Sequence, residues 1–501
     1  MKKQIKRLAA VLCAVLILST AITAQAGAAA VQADYTDVPE TAWYAEAVSY
    51  CLDNGLMVGT GEDTFSPDAP MTRAMLCAVL HRAAGSPQAD PAGYTDVPAG
   101  AWYEAAVNWA ASAGLVSGYG DGRFGPGDRL NREQLAAILW RWKGSPAAEQ
   151  EPAYGDGGDI SAWAKTAVAW ARDAGLMNGV GGNLFRPGGD ATRAQAARVL
   201  MEYTLIPGTC SVVSALDALC RPVGISASSQ RGFLVTDAYR KVVWQVERGQ
   251  SAVYAGAFTP ADAWGEPVGG YNDSTLANST FLSPWAIVPF LNGYAVSDEA
   301  NGAVRLITGD GVQTLNGRTE EDIPTGEMGV IFQRPTGLAS DREGNLYISD
   351  TAAGAVRKIT PEGSVTTVAS GLAEPMGLCW LDGALYIAET GADRILRVLP
   401  DGTSSAVGTG DAGLVDGPAA EACFSGPQGL AAGQDGTLYI ADTANSAVRR
   451  LKDGQVTTLL SRDIAQTNTF FPVSPQGMMV QGRRLLVCDR FSCKVAAIAL
   501  G

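Results

Sequence analysis

The sequence predicts a two-part molecule: an α-helical N-terminal region of three repeats, then an all-β region of six. Three observations predict it. Segments opening at Tyr35, Tyr94 and Tyr154 carry Asp37, Asp96 and Asp156, then Trp43, Trp102 and Trp163, then Arg73, Arg132 and Arg193, in register. Near Leu205-Ile206-Pro207-Gly208 helical periodicity gives way to short apolar strands punctuated by glycine. Beyond that point a Pro-x-Gly-like motif returns six times, each time leading into a strand that ends in an acid. Recurrence at a fixed period identifies an architecture before any single residue does.

The chain's 501 residues imply two or more domains, and 47% apolar with 18% charged residues is a folded, globular composition. Met1 to Ala26 has a basic start, an apolar run from Leu8 to Leu18 and small residues before Gly27, which predicts an export leader. Val31-Gln32-Ala33 is a second possible cleavage site, and no later stretch has the length of a membrane span. The formal charge of −14 becomes −18 without Lys2, Lys3, Lys6 and Arg7. So acidic a protein repels nucleic acid, and any anionic ligand needs a local pocket. Eight cysteines remain beyond the leader, scattered and without metal-ligand spacing; no disulfide, metal or cofactor is assigned.

In the middle repeat Trp102, Ala106, Trp109 and Ala113 follow helical spacing, and Gly114 ends that helix. Gly118, Gly120 and Gly122 form a loop. Leu135, Ile138, Leu139 and Trp142 then make an apolar stripe on a second helix. Asn131 with Gln134 reads as a capping box, repeated by Thr192 with Gln195, whereas Thr72 with Met75 keeps only the cap. Helices this short bury no core alone, so the repeats should form one bundle. Trp109, Trp140, Trp142 and Trp170 read as core.

An arginine directly follows each cap, where a cation opposes the helix dipole. Arg73, Arg132 and Arg193 can each offer a bidentate partner to a carboxylate; the alternatives are an ion pair with Asp37, Asp96 or Asp156, or solvation. The motifs YTDV at 35–38 and 94–97, DGRFGP at 121–126, DTFSP at 63–67, NLFRP at 183–187, TRAM at 72–75, NREQ at 131–134 and TRAQ at 192–195 resemble S-layer homology repeats. The resemblance places repeats at 35–86, 94–145 and 154–206. It implies a pseudo-threefold bundle that binds pyruvylated secondary cell-wall polysaccharide of a Gram-positive wall. The ligand candidates it implies are Asp37, Trp43, Arg73, Asp96, Trp102, Arg132, Asp156, Trp163 and Arg193. None of the three motifs keeps the family's final glutamate, and Tyr154-Gly155-Asp156-Gly157 departs from its usual start.

Across 210–501 the motifs are RPVGI at 221–225, SPWAI at 283–287, RPTGL at 334–338, EPMGL at 374–378, GPQGL at 426–430 and SPQGM at 474–478. The strands that follow end at Asp237, Asp298, Asp350, Glu389, Asp442 and Asp489. Third strands such as AVRKI at 355–359, and fourth strands such as VTTVA at 365–369, complete a four-stranded unit, which predicts a six-bladed β-propeller. The last unit stops after its third strand, and 211–216 can supply the fourth and close the ring. The acids recur in every blade, which favours a structural turn over a metal site. The sequence 433–451, GQDGTLYIADTANSAVRRL, resembles NHL-repeat propellers, a family of protein, RNA or glycan binders with lyase and lactonase relatives.

Two functions follow. The first is an exported, non-catalytic surface protein, held at the wall or S-layer by its repeats, whose propeller binds a protein or glycan. The second is a wall-tethered lyase or lactonase. The one histidine, His81, lies outside the propeller, so lyase chemistry that needs histidine has no residue to use there. The long loop 256–283, with Trp264, Tyr271 and Phe281, is the candidate propeller binding loop.

Overall fold

A computed structural model describes residues 35–148, 154–206, 209–213, 219–229, 232–247, 250–262, 266–316, 332–462 and 470–500. The leader and Trp264 lie outside the described residues. The N-terminal region contains helices α1 (Ala45–Asp53), α2 (Arg73–Ala83), α3 (Glu104–Ser112), α4 (Arg132–Trp142), α5 (Lys165–Asp173) and α6 (Arg193–Thr204). Each repeat contributes two. The second helix of each repeat packs on the first helix of the next: α2 on α3, α4 on α5, and α6 back on α1. The bundle is a closed ring with pseudo-threefold symmetry.

The loops before α2, α4 and α6 meet at its axis. Met71 N–H donates to the Ala191 carbonyl, Ala191 N–H to Leu130, and Leu130 N–H to Met71, each at 2.8 Å. The cores fuse below this triangle, where Trp142 stacks on Tyr203 at 4.7 Å and 11°. Trp109 and Trp170 are buried, as are the free thiols of Cys51 and Cys77. Asn131 and Gln134 form the expected capping box.

Trp102 departs from the expected stripe. The chain turns at Ala101 and Glu104, α3 begins only at Glu104, and Trp102 is left outside.

The C-terminal region is a six-bladed β-propeller of four-stranded antiparallel sheets. The blades span 222–255, 284–316, 335–370, 375–407, 427–460 and 475–499; the fifth adds a short outer strand, Gly417–Pro418. The sixth blade takes its fourth strand from Cys210–Val212, which pairs Cys210 with Ile498 and Val212 with Ala496. That strand closes the ring and covers an edge that would otherwise be unpaired.

The Pro-x-Gly motif has a steric cause. A Cβ on Gly337 would lie 1.9 Å from the Met376 carbonyl oxygen, and one on Gly377 would lie 2.0 Å from that of Gln428. Gly429, Gly477 and Gly224 stand equally close to Gln476, Val223 and Trp285. At these five junctions the innermost strands meet backbone to backbone, where only glycine fits; blade 2 carries Ala286 at the corresponding position. Hydroxyls tie the same junctions: Thr351 donates to the Pro375 carbonyl, Thr390 to Pro427 and Thr443 to Pro475, at 2.6, 2.6 and 2.7 Å. Among the described residues no helix is long and apolar enough to cross a membrane.

Candidate functional site

Each junction of the bundle is built from an aspartate, a loop and an arginine of the preceding repeat in the ring. Asp37 accepts the N–H groups of Phe65 and Ser66 at 2.8 and 2.6 Å. Asp96 does the same for Phe124 and Gly125, and Asp156 for Phe185 and Arg186. These pairs hold the loop so that one carbonyl faces the neighbouring repeat. Arg193 donates to the Phe65 carbonyl at 2.8 Å and to Val58 at 2.7 Å. Arg73 donates to Phe124 and Ser117, and Arg132 to Phe185. Each guanidinium also covers the phenylalanine ring of that loop, at 4.4 to 5.0 Å.

Among the described residues no ion pair joins Arg73, Arg132 or Arg193 to Asp37, Asp96 or Asp156, and burial of all three leaves little room for solvation. Burial lowers the pKa of Arg132 and Arg193 below the usual arginine value. Burial alone would raise Asp96 and Asp156, but two loop N–H groups apiece outweigh it and hold both below the ordinary carboxylate range.

The helix starts are engaged as well. Arg73 and Ala74 donate their backbone N–H groups to the Asp128 and Pro126 carbonyls, and Arg193 and Ala194 donate to Ala69 and Pro67. The free N–H groups at these helix starts are thus given to the adjoining repeat.

The tryptophans stand apart from this frame. Trp43, Trp102 and Trp163 are 60%, 67% and 54% exposed, at equivalent positions before α1, α3 and α5. Trp43 and Trp102 meet Tyr44 and Tyr103 edge-on at 5.3 and 5.2 Å. Ala164 occupies the matching place in the third repeat, so Trp163 lacks that support. The structure thus joins the aspartates to the arginines through one loop and leaves the indoles as the outward-facing part.

In the propeller, each recurring acid is buried and pins the chain entering its own inner strand. Asp350 accepts from Gln333 and Arg334 N–H, Asp489 from Val473 and Ser474, and Asp237 from Cys220 and Arg221. This is the structural turn the recurrence suggested. In the candidate loop Phe281 and Tyr271 pack inward, whereas Phe258 and Val268 are exposed. Phe281 is fully buried in the core beside Ile287 and Val296, and so presents no face to a ligand. Tyr271 bonds Thr314 and lies 4.9 Å from the Arg305 guanidinium. Arg305 is fully buried and pairs with Asp273 and Asp298; Arg449, Asp416 and Asp442 repeat that design in blade 5. The signal was present in sequence: Asp273 and Phe281 have the same spacing as Asp416 and Phe424. The inner strands enclose a channel of about 360 Å3, lined among the described residues by no Asp, Glu, His, Lys or Arg.

Comparison with known proteins matches the repeats to a family. The S-layer homology domain model matches residues 34–74, 93–136 and 153–197, and the NHL repeat model matches 424–451. The chain carries three S-layer homology domains and an NHL repeat within a six-bladed propeller. An endoglucanase of Bacillus sp. (strain KSM-635) is 27% identical over 279 residues, 54% of this chain and 29% of that protein. The S-layer protein EA1 of Bacillus anthracis is 31% identical over 132 residues, 26% of this chain and 15% of that one. The chain thus spans less than a third of the length of either relative. A gluconolactonase of Xanthomonas campestris superposes with a TM-score of 0.43 at 15% identity, covering 58% of this chain and 89% of that structure. A likeness this loose carries no argument about chemistry. With three S-layer homology domains and S-layer relatives, the protein is extracellular and associated with the cell wall.

Proposed function

We propose that the bundle, residues 35–206, anchors the protein by binding pyruvylated secondary cell-wall polysaccharide at its three repeat junctions, and that the propeller, 210–501, is displayed as a binding domain. The observation that carries this reading is the threefold set of exposed indoles, while Trp109, Trp142 and Trp170 of the same bundle are buried. A large apolar ring left in water at one position of every repeat suits a sugar platform, and nothing in the fold requires it there. Asp37, Asp96 and Asp156 set the loops beneath. Arg73 and Arg193 each engage two of five guanidinium N–H groups with carbonyls, leaving donors for a pyruvyl carboxylate at the groove. An export leader at residues 1–26 completes the reading.

Among the described residues the propeller channel is lined by no Asp, Glu, His, Lys or Arg, and burial pushes its one thiol, Cys379, up to about 12. This favours display over a wall-tethered lyase or lactonase, because acid–base chemistry needs a group that titrates in the working range within reach of substrate. The experiment is co-sedimentation of the full chain with Gram-positive sacculi, before and after extraction of their polysaccharide. Sedimentation only with unextracted sacculi is expected, and the Trp43→Ala, Trp102→Ala, Trp163→Ala triple variant should stay in solution. Equal sedimentation of that variant would overturn the platform role.

A further inference from the structure

We infer that the acid-bearing end of the propeller channel holds a carboxylate-binding subsite made by Arg221, Arg490 and Trp285, for a ligand whose apolar part enters the channel. This deepens the reading of the propeller as a display domain and rests on it.

Three consecutive blades converge there. Arg221 immediately precedes Pro222 at the head of the inner strand of blade 1, and Trp285 follows Pro284 at the head of that of blade 2. Arg490 follows the recurring acid of blade 6, and its N–H donates to the Ser474 carbonyl, just before the inner strand Pro475–Gln481. The Arg490 side chain reaches across blade 1 and lies 5.4 Å from the Trp285 ring, while Arg221 lies 5.5 Å from the Tyr239 ring. Both guanidinium groups are held by aromatic faces.

They also lack counter-charges. Among the described residues no carboxylate lies within ion-pair distance of Arg221 or Arg490, although the protein carries a net charge of −14. A third arginine at this end, Arg334, shows the ordinary arrangement, with Glu299 at 3.5 Å. Burial, then the nearby charge of Arg221, lowers the Arg490 pKa, and Glu299, already held by Ser283 and Arg334, opposes this more weakly. Two neighbouring cations, Arg221 exposed and Arg490 partly buried, neither with a carboxylate at ion-pair distance among the described residues, form a local exception to the repulsive field of the whole protein.

The space below sets the rest of the ligand. Trp285 itself lines the channel of about 360 Å3, together with Ile225, Ile287, Leu338, Met376 and Met478. An anion at the mouth and an apolar wall beneath it fit an amphiphilic monocarboxylate. Such a group is presented both by a fatty acid and by a peptide C-terminus. Planar guanidinium forks match it bidentately.

The test is calorimetric titration of the full chain with octanoate and N-acetylleucine, each against its neutral amide. The acid should bind at least about tenfold more tightly than the amide, with a preference that falls as salt rises. Arg221→Gln and Arg490→Gln should each abolish most of that preference while leaving amide affinity and thermal unfolding unchanged. Binding of octanoate alone assigns a fatty-acid source, and binding of N-acetylleucine alone a peptide end. Acids that bind no better than their amides, no binding by either acid, or an unchanged preference in both variants would each overturn the subsite. Wall sedimentation of the same variants separates its failure from that of anchoring, since neither arginine belongs to the bundle.

Discussion

The bundle and the propeller both close a ring of repeats; backbone hydrogen bonds join neighbours at the axis of the first, but long side chains bridge its repeats, whereas the innermost strands of the second pack backbone on backbone. In the bundle, side chains reach across: Arg193 returns from the third repeat to the carbonyls of Phe65 and Val58 in the first. In the propeller, backbones touch directly at Gly224, Gly337, Gly377, Gly429 and Gly477, and one strand, Cys210–Val212, completes the circle. The reason is the geometry of the elements. Helices standing 8–10 Å apart leave a gap that a long side chain must span. Radially packed inner strands converge on the axis, and at five of the six motif positions they leave no room even for a methyl group, Ala286 being the exception.

That contrast can be broken at either ring. Gly377→Ala places a methyl where 2.0 Å separates it from the Gln428 oxygen, and should cost roughly 3 kcal/mol or more. Region-resolved hydrogen exchange should show blades 4 and 5 opening while the bundle keeps its protection; a silent substitution would contradict the packing argument. Arg193→Ala leaves two carbonyls short of their donor and should cost about 3 kcal/mol, now confined to the bundle. Loss of protection in the propeller instead would mean that the two rings are coupled.

The acids sharpen the comparison further. Both regions use a carboxylate to hold two backbone N–H groups, yet in the propeller burial dominates and raises Asp298 and Asp442. In the bundle the N–H groups prevail over lighter burial, and Asp96 and Asp156 are lowered. A lowered folded pKa contributes stability that is present above the unfolded value of about 3.9 and is lost as pH falls through the folded one. A raised folded pKa acts in reverse: its cost at neutral pH is relieved as pH falls through it. On acidification toward pH 3 the bundle should therefore lose protection before the propeller, and Asp96→Asn should blunt that response. The opposite order of unfolding would refute the assignment. The smallest effect on stability belongs to the exposed indoles: Trp102→Ala should change thermal unfolding by no more than about 0.5 kcal/mol. In the triple variant it should nevertheless abolish sedimentation with sacculi.

Much of the molecule was legible in one dimension because its symmetry is written as recurrence. Three Trp-Arg-Asp sets, five Pro-x-Gly motifs and one Pro-x-Ala announce both rings, and the six acids at strand ends announce a turn. Capping at Asn131 was readable because caps act over three residues. Phe281 is a core residue of the candidate loop and not a ligand contact, because Phe281 and Phe424 share a role that only their matching spacing to Asp273 and Asp416 discloses.

The sequence by itself determined the two repeat architectures, their order and the closing strand, since each rests on local periodicity or on an edge that must be paired. Only the tertiary structure decided what the repeated residues touch. Whether Arg73 meets an anion, its own aspartate or the next repeat depends on which helix the ring brings alongside, and that contact lies 51 residues away in the chain. The same holds for Arg490 and Trp285, which come from blades 6 and 2 and meet because the ring closes between them.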